Sequence, residues 1–297
     1  MKLLIIGHSV ADIIIAENRQ VIKPGGIAYS VAGLKSFLEN EDEIYLCSAL
    51  DDKFRYLFDS LYKGINDNYI QKIDSICVVE LKIPDSGERE EMYSNIPGNL
   101  SLQNIDFNFF DGVYINMVSG FDISLLQLAE IRNSFGGLIY FDVHTFSRGV
   151  NNNLNREFRK IPGFKNWAEC IDILQANELE FRTLSDKLTE NEITQELIEY
   201  GISQLVITRG DKGATDYYKD LSGIKSVSVN AININSLNKV GCGDVFGALY
   251  FYNYISTKNI SSALKFANTA AGITTAYGDI KDYMNLKNDV QLRLNKK

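Results

Sequence analysis

The sequence predicts an α/β fold on a mostly parallel sheet, and three observations carry that prediction. From residue 113 onward, short apolar runs alternate with helical patterns. Residues 113–116 and 138–142 read as strands around a helix at 124–135, and 171–175 and 204–208 follow as strands with helical sequence between them. Such alternation implies right-handed crossovers between parallel strands. Asp12, Asp142, Asn177 and the pair Arg209-Gly210 fall at or just beyond predicted strand ends, where sheets of this kind bind ligands. Late in the chain, Gly241-Cys242-Gly243-Asp244 opens an apolar helix. A turn so poor in side chains lets backbone N–H groups point at an anion, and the helix adds the positive end of its dipole.

Composition bounds the rest. The 297 residues are 45% hydrophobic and 23% charged, a globular balance with enough chain for one large domain or two smaller ones. A net charge of −8 disfavours nucleic acid and anionic membranes as partners. Apolar runs stay far short of the roughly 20 residues that a membrane span needs. Cys47, Cys77, Cys170 and Cys242 are scattered, and only His8 and His144 accompany them. That pattern argues against a zinc site and fits a reducing cytoplasm.

In chain order, residues 3–7 form a first buried strand leading to Asp12, an acid suited either to a turn or to a ligand. Residues 13–15 and 20–22 read as β around Glu17-Asn18-Arg19. Pro24-Gly25-Gly26 precedes a helix to about residue 39, and the glycine pair permits close approach of a ligand. Residues 43–50 are a core strand and 51–63 a helix. Residues 76–83 and 90–96 alternate around Pro84-Asp85-Ser86-Gly87, a hairpin signal. With residues 13–22 they form either a small projecting sheet or an ordinary edge hairpin. Two helices, 260–276 and 282–295, close the chain. No repeat or long linker interrupts it, so one domain with a lid is the economical reading.

Several residues suit chemistry. Asp244 lies in the first helical turn beside the anion site, where a carboxylate can accept the proton of an attacking alcohol. Gln175-Ala176-Asn177-Glu178-Leu179-Glu180 starts a helix after a strand, and its acids either compensate the dipole or serve a cation. Thr208-Arg209-Gly210-Asp211-Lys212-Gly213 is a glycine turn after a strand. The small residues of 266–272, Asn268 among them, either pack on the sheet or line a slot. His144 is either a phosphate or substrate contact or a structural histidine. Cys242 is either a reactive thiol or a small residue in a tight turn.

These motifs, in this order and across almost the whole chain, resemble those of the ribokinase-like (PfkB) carbohydrate kinases. The resemblance implies a three-layer α/β/α core within one domain spanning 1–297, with a small β lid from about 13–23 and 76–97. In that family the lid often pairs between subunits, which implies a homodimer. The resemblance makes Gly241, Cys242 and Gly243 the anion hole and Asp244 the base. It puts Asp12, Gly25, Gly26 and Ser30 at the sugar, and Asn177, Thr208, Arg209, Gly210, Gly213 and Asn268 at the nucleotide. Glu180 would serve Mg²⁺ through water. ATP and Mg²⁺ follow as cofactors, and a hydroxyl of a sugar or related polyol as phosphoryl acceptor. Gly7-His8 before Asp12 also resembles nucleoside- and inositol-phosphorylating members.

Three departures from the family pattern matter. Ser30 stands where Asn is frequent, which loosens the identity of the sugar. His144 replaces Asn in the loop after Asp142. Asn238-Lys239 replaces the usual Asp-Thr tied to a monovalent-cation loop, so that cation is left open and Lys239 is expected to weaken or replace it. Rival readings are weaker. Gly241-x-Gly243-x-x-x-Gly247 loosely mimics a dinucleotide fingerprint, but no Asp or Glu follows from 245 to 266 to hold a ribose. No Gly-x-x-x-x-Gly-Lys-Ser/Thr string is present. The rival from another class is a sugar- or nucleotide-binding regulator that kept the fold and lost catalysis.

Overall fold

In β1 (Lys2–Ile6), Leu3 and Ile5 join one hydrophobic cluster while Leu4 and Ile6 join another, and all four are buried. A strand apolar on both faces has to be covered on both sides, and the computed structural model, which describes residues 1–16, 19–82 and 90–295, shows how. After β1 come β2 (Ser9–Ala16), β3 (Arg19–Gly26), α1 (Ile27–Lys35), β4 (Glu43–Leu50), α2 (Asp59–Tyr62), β5 (Asn66–Lys72), β6 (Cys77–Lys82) and β7 (Glu90–Asn95). Next are β8 (Gly112–Asn116), α3 (Leu125–Ser134), β9 (Leu138–Asp142), β10 (Arg148–Val150), β11 (Arg156–Phe158) and α4 (Phe164–Ala168). The chain continues through β12 (Ile173–Asn177), α5 (Glu178–Phe181), α6 (Glu190–Glu199), β13 (Gln204–Thr208), β14 (Ala214–Asp220) and β15 (Gly223–Val229). Three helices complete it: α7 (Cys242–Thr257), α8 (Ile260–Thr274) and α9 (Leu286–Asn295).

Nine strands form the central sheet in the order β15-β14-β13-β12-β9-β8-β1-β4-β5. Neighbours from β13 to β5 run parallel, and β14 and β15 add an antiparallel edge. On one face, Leu34 of α1, Val245 and Leu249 of α7 and Ala267 of α8 pack with Leu3 and Ile5. On the other, Leu128 of α3, Trp167 of α4 and Leu197 of α6 pack with Leu4 and Ile6. The result is the three-layer α/β/α arrangement with a mostly parallel sheet. Among the described residues, no helix is long and apolar enough to cross a membrane.

A second sheet of four strands, β3-β2-β6-β7, stands apart from the first. Its β7 edge meets the β10–β11 hairpin, because Tyr93 donates its N–H to the Leu154 carbonyl at 3.0 Å and Met92 bridges Asn155.

Several boundaries differ from the sequence reading. β2 begins at Ser9 rather than 13, so Asp12 stands within a strand opposite Lys23. Gly25 and Gly26 end β3, and α1 runs only to Lys35. Residues 51–63 are not one helix. Asp51 accepts from the Phe54 and Ile76 amides at 2.7 and 2.8 Å, which leaves a 3₁₀ turn and the single turn of α2. Phe54, Phe58 and Tyr62 are nonetheless buried at helical spacing. The hairpin signal at Pro84-Asp85-Ser86-Gly87, and Glu17 and Asn18 of the first turn, lie outside the described residues.

Candidate active site

Parallel strands deliver their C-terminal residues to one edge of the sheet, and here β8 delivers Asn116, β9 Asp142, β12 Asn177 and β13 Thr208. The turn before α7 lies over that edge. Gly241 has φ +80°, and a Cβ there would sit 2.2 Å from Cγ of Tyr29, so only glycine lets the turn rest on that ring. The turn lies between two cavities. Cys242 and Gly243 line the larger, of about 360 Å³, together with Thr208, Gly210, Gly213 and Asn268. Gly241 and Asp244 line the smaller, of about 50 Å³, together with Asp12, Gly26, Tyr29 and His144. The smaller space holds a few waters but not a sugar.

Asp244 is 5% exposed and tightly framed. Asn116, fully buried, donates from Nδ2 to its Oδ1 at 2.6 Å. Its backbone carbonyl accepts from Ser30 Oγ at 3.2 Å. Below it, Gln175 donates from Nε2 to Asp142 Oδ2 at 2.9 Å and to the Gly243 carbonyl at 3.1 Å, while accepting from Tyr140 at 2.6 Å. His144 holds a left-handed φ of 37° and brings Nε2 within 3.9 Å of Asp244 Oδ1. A left-handed histidine is strained backbone of the kind that gathers at functional sites.

Electrostatics follow from burial. Asp142 is held well above the usual carboxylate range by burial and by the charges of Glu180 and Asp244. Burial pushes Glu180 up to about 7, with Asp244 adding to the shift and Arg148 and the Asn177 backbone opposing it. Burial lowers His144 against the pull of Asp244, which leaves the ring neutral at pH 7. Three carboxyl groups thus feel one another in a buried space, with Arg148 opposing the shift at Glu180. Among the described residues, no group of three or more His, Cys, Asp or Glu side chains is set to cage a metal directly. A single hard-oxygen donor of this kind, Glu180, fits a hydrated Mg²⁺ better than a fully protein-ligated ion.

The expected site residues fall as follows. Asp12 and Gly26 line the smaller cavity, and a Cβ on Gly25 would lie 2.2 Å from Asp12 Oδ2, so that glycine makes room for the carboxylate. Ser30 does not reach the cavity: it is fully buried beneath Asp244, and Tyr29 takes the wall position. Asn177 and Glu180 form a reciprocal cap on α5, with Asn177 Oδ1 accepting the Leu179 and Glu180 amides at 2.9 Å. Thr208, Gly210, Gly213, Cys242 and Asn268 all line the larger cavity. Arg209 does not: its guanidinium is held by Glu178 at 2.8 Å and Glu190 at 2.5 Å, with two carboxylates taking the place of a phosphate.

The sequence reading missed Asn116 and Gln175, although each closes an apolar run that it took for a strand. A polar residue at a strand's carboxyl end was the available signal. It also missed Tyr29, Glu91 and Arg156 in the smaller cavity. Glu91 and Arg156 come from β7 and β11, and nothing local marks that meeting.

A family model described as pfkB family carbohydrate kinase matches residues 143–282. Fructokinase-1 of Oryza sativa subsp. japonica is 23% identical over 290 residues, covering 90% of this chain and 87% of that protein. Among solved structures, a putative ribokinase II from E. coli in complex with ATP and Mg²⁺ superposes with TM-score 0.75 at 17% identity, over 98% of this chain and 99% of that one. A pyrophosphate-dependent kinase in the ribokinase family, complexed with a pyrophosphate analog and myo-inositol, gives TM-score 0.77 at 14% identity, over 97% and 99%. At such identities the structural likenesses speak for the fold, while the family model and the full-length relative speak for lineage. These matches make the chain similar to the ribokinase-like (PfkB) carbohydrate kinases.

Proposed function

We propose that this protein transfers the γ-phosphoryl group of ATP to a hydroxyl, a primary alcohol, of a sugar or related small polyol. The observation that carries the reading is the position of the 241–244 turn, with its middle facing one cavity and Asp244 facing the other. Donor and acceptor then meet across three residues.

In this reading Asp12 accepts hydrogen bonds from substrate hydroxyls and Asp244 takes the proton of the attacking one. Asn116 fixes the carboxylate's orientation. The amides of Gly241, Cys242 and Gly243, with the N-terminal end of α7, stabilise negative charge on the transferred group. Thr208, Gly210 and Gly213 shape the phosphate and ribose end of the larger cavity, and Asn268 flanks its far end. Mg²⁺, when bound with the nucleotide, supplies charge neutralisation at the phosphates, and Glu180 would hold its water shell. Ile232, Ile234, Phe246 and Ala271 give the larger cavity an apolar wall. Such a wall suits a nucleoside base and favours ATP over pyrophosphate as donor.

The four-stranded sheet acts as a lid on the single domain 1–297. The small volume of the acceptor cavity supports that role, since a sugar enters only when the lid moves outward. Exposed Val21 and Ile22 on edge strand β3 support pairing of two lids in a homodimer, which equilibrium sedimentation of V21K checks. Nucleoside or inositol phosphorylation by the same site is the second reading, favoured by the myo-inositol complex of a structural neighbour.

ADP release from Mg-ATP against sugars, polyols, nucleosides, inositols and sugar phosphates tests the proposal. Turnover on one class supports it and names the acceptor. Tight binding of a compound without ADP release sinks it in favour of a non-catalytic binding protein.

A further inference from the structure

The acceptor cavity is lined by charges of both signs. Asp12 and Asp244 bring carboxylates to it, while Arg156, arriving from β11, brings a guanidinium. That guanidinium is locked in place. Its Nη1 donates to Glu91 Oε2 at 2.5 Å and to Thr145 Oγ1 at 3.2 Å, and its Cζ lies 4.1 Å from the centroid of the Tyr93 ring. The side chain is only 6% exposed. Its buried Nε nevertheless has no hydrogen-bond partner among the described residues.

A buried donor without an acceptor is unfavourable, and arginine stays charged and offers donors only. The missing partner is therefore an oxygen that accepts. A purely structural role, tying lid strand β7 to β11 through Glu91, accounts for Nη1 and leaves Nε unexplained. The Asp12 and Asp244 carboxylates in the same lining call for groups that donate, which hydroxyls do. One molecule that satisfies all three groups carries hydroxyls together with an acceptor oxygen.

We propose that Arg156 is a specificity-determining residue of the acceptor site, reading a keto or carboxylate oxygen of the substrate other than the reacting alcohol. The proposal rests on the kinase reading only for which group reacts. The preferred acceptor is then an oxidised sugar rather than the corresponding alditol, and ketone and carboxylate share the chemistry that Nε recognises.

Calorimetric titration without nucleotide tests this with two matched series: D-glucitol, D-fructose and D-gluconate, then galactitol, D-tagatose and D-galactonate. Within a series, an oxidised member is expected to bind about ten- to a hundredfold more tightly than its alditol. The aldonate tests the carboxylate oxygen directly, whereas the ketose, almost wholly a cyclic hemiketal in water, presents its keto oxygen only through the minor open-chain form. Arg156→Gln is expected to shrink the preference to about threefold or less. Alditols binding as well as the oxidised members, none of the oxidised members binding, or a preference that survives R156Q would each overturn the proposal. If R156Q does not fold, the wild-type ranking decides, with R156K, which keeps the charge but loses Nε, as the second variant. Parallel ADP release separates the two claims. Binding preference without turnover counts against the kinase reading alone, and turnover without preference counts against Arg156 alone.

Discussion

Asn116 Nδ2 lies 2.6 Å from Asp244 Oδ1 and joins the end of a central strand to the first turn of α7. The bond spans 128 positions of sequence and aims the carboxylate that the proposed chemistry needs. The amide's own Oδ1 is buried without a partner among the described residues. Asn116→Leu removes this bond and takes a donor from the buried Asp244 carboxylate, which costs about 1–3 kcal/mol of stability. The variant is expected to lose about ten- to a hundredfold in kcat, by misorienting the base, while staying folded at the assay temperature with a lowered Tm. Steady-state kinetics with calorimetric unfolding checks the split, and an unchanged kcat contradicts the positioning role.

Gly25→Ala puts a methyl group 2.2 Å from the Asp12 carboxylate. The carboxylate has to move, and with it the hydroxyl contacts assigned to Asp12. KM for the acceptor is expected to rise about tenfold or more, with KM for ATP nearly unchanged. Equal effects on both substrates would place Asp12 outside the acceptor site.

How much of this was legible follows from the same residues. Gly241-Cys242-Gly243-Asp244 and the strand-end polar residues are local patterns, and local patterns survive folding. The alternation of apolar runs gave the central sheet because strands buried on both faces must be apolar throughout. β5 carries no such signature because it is an edge strand whose residues are mostly polar and none of them fully buried. β10 and β11 are three residues each, too short to carry a period. Arg156 meets Glu91 across 65 positions, and Arg209 meets Glu178 and Glu190 across 31 and 19. Pairings of that kind are decided by tertiary packing, so an arginine beside a glycine turn read as a phosphate ligand when two glutamates hold it.

The magnesium role proposed for Glu180 would tie metal binding to pH. Burial pushes the carboxyl up to about 7 from its ordinary 4.5, so the folded protein holds its proton more tightly than the unfolded chain. That contribution to stability is fully present below about 4.5 and is lost as pH rises through 7. A cation must displace the same proton, so the Mg²⁺ concentration for half-maximal activity is expected to fall from pH 6 to pH 8. Glu180→Gln should flatten this dependence and raise the Mg²⁺ requirement at pH 8. A wild-type Mg²⁺ requirement that does not vary with pH would contradict the assignment.

Lys239 lines the larger cavity beside Cys242 and stands close to the proposed phosphate path. Its ammonium is expected to do there what a monovalent cation would do. Exchange of potassium for tetramethylammonium at constant ionic strength should change wild-type turnover by less than about twofold. Lys239→Met should raise KM for ATP and make turnover respond to potassium. Strong potassium activation that is identical in both proteins removes Lys239 from the account.

The most direct measurement compares wild-type and Asp244→Asn protein on the best acceptor from the panel, under single-turnover conditions with Mg-ATP. Asparagine keeps the shape and the Asn116 contact in altered form but cannot take a proton. The account predicts a phosphoryl-transfer rate lower by about a hundredfold to ten-thousandfold, with calorimetric affinities for nucleotide and acceptor within a few fold of wild type. A transfer rate within about tenfold of wild type, with binding intact, would mean that another group is the base and that the 241–244 turn serves only to hold the phosphates.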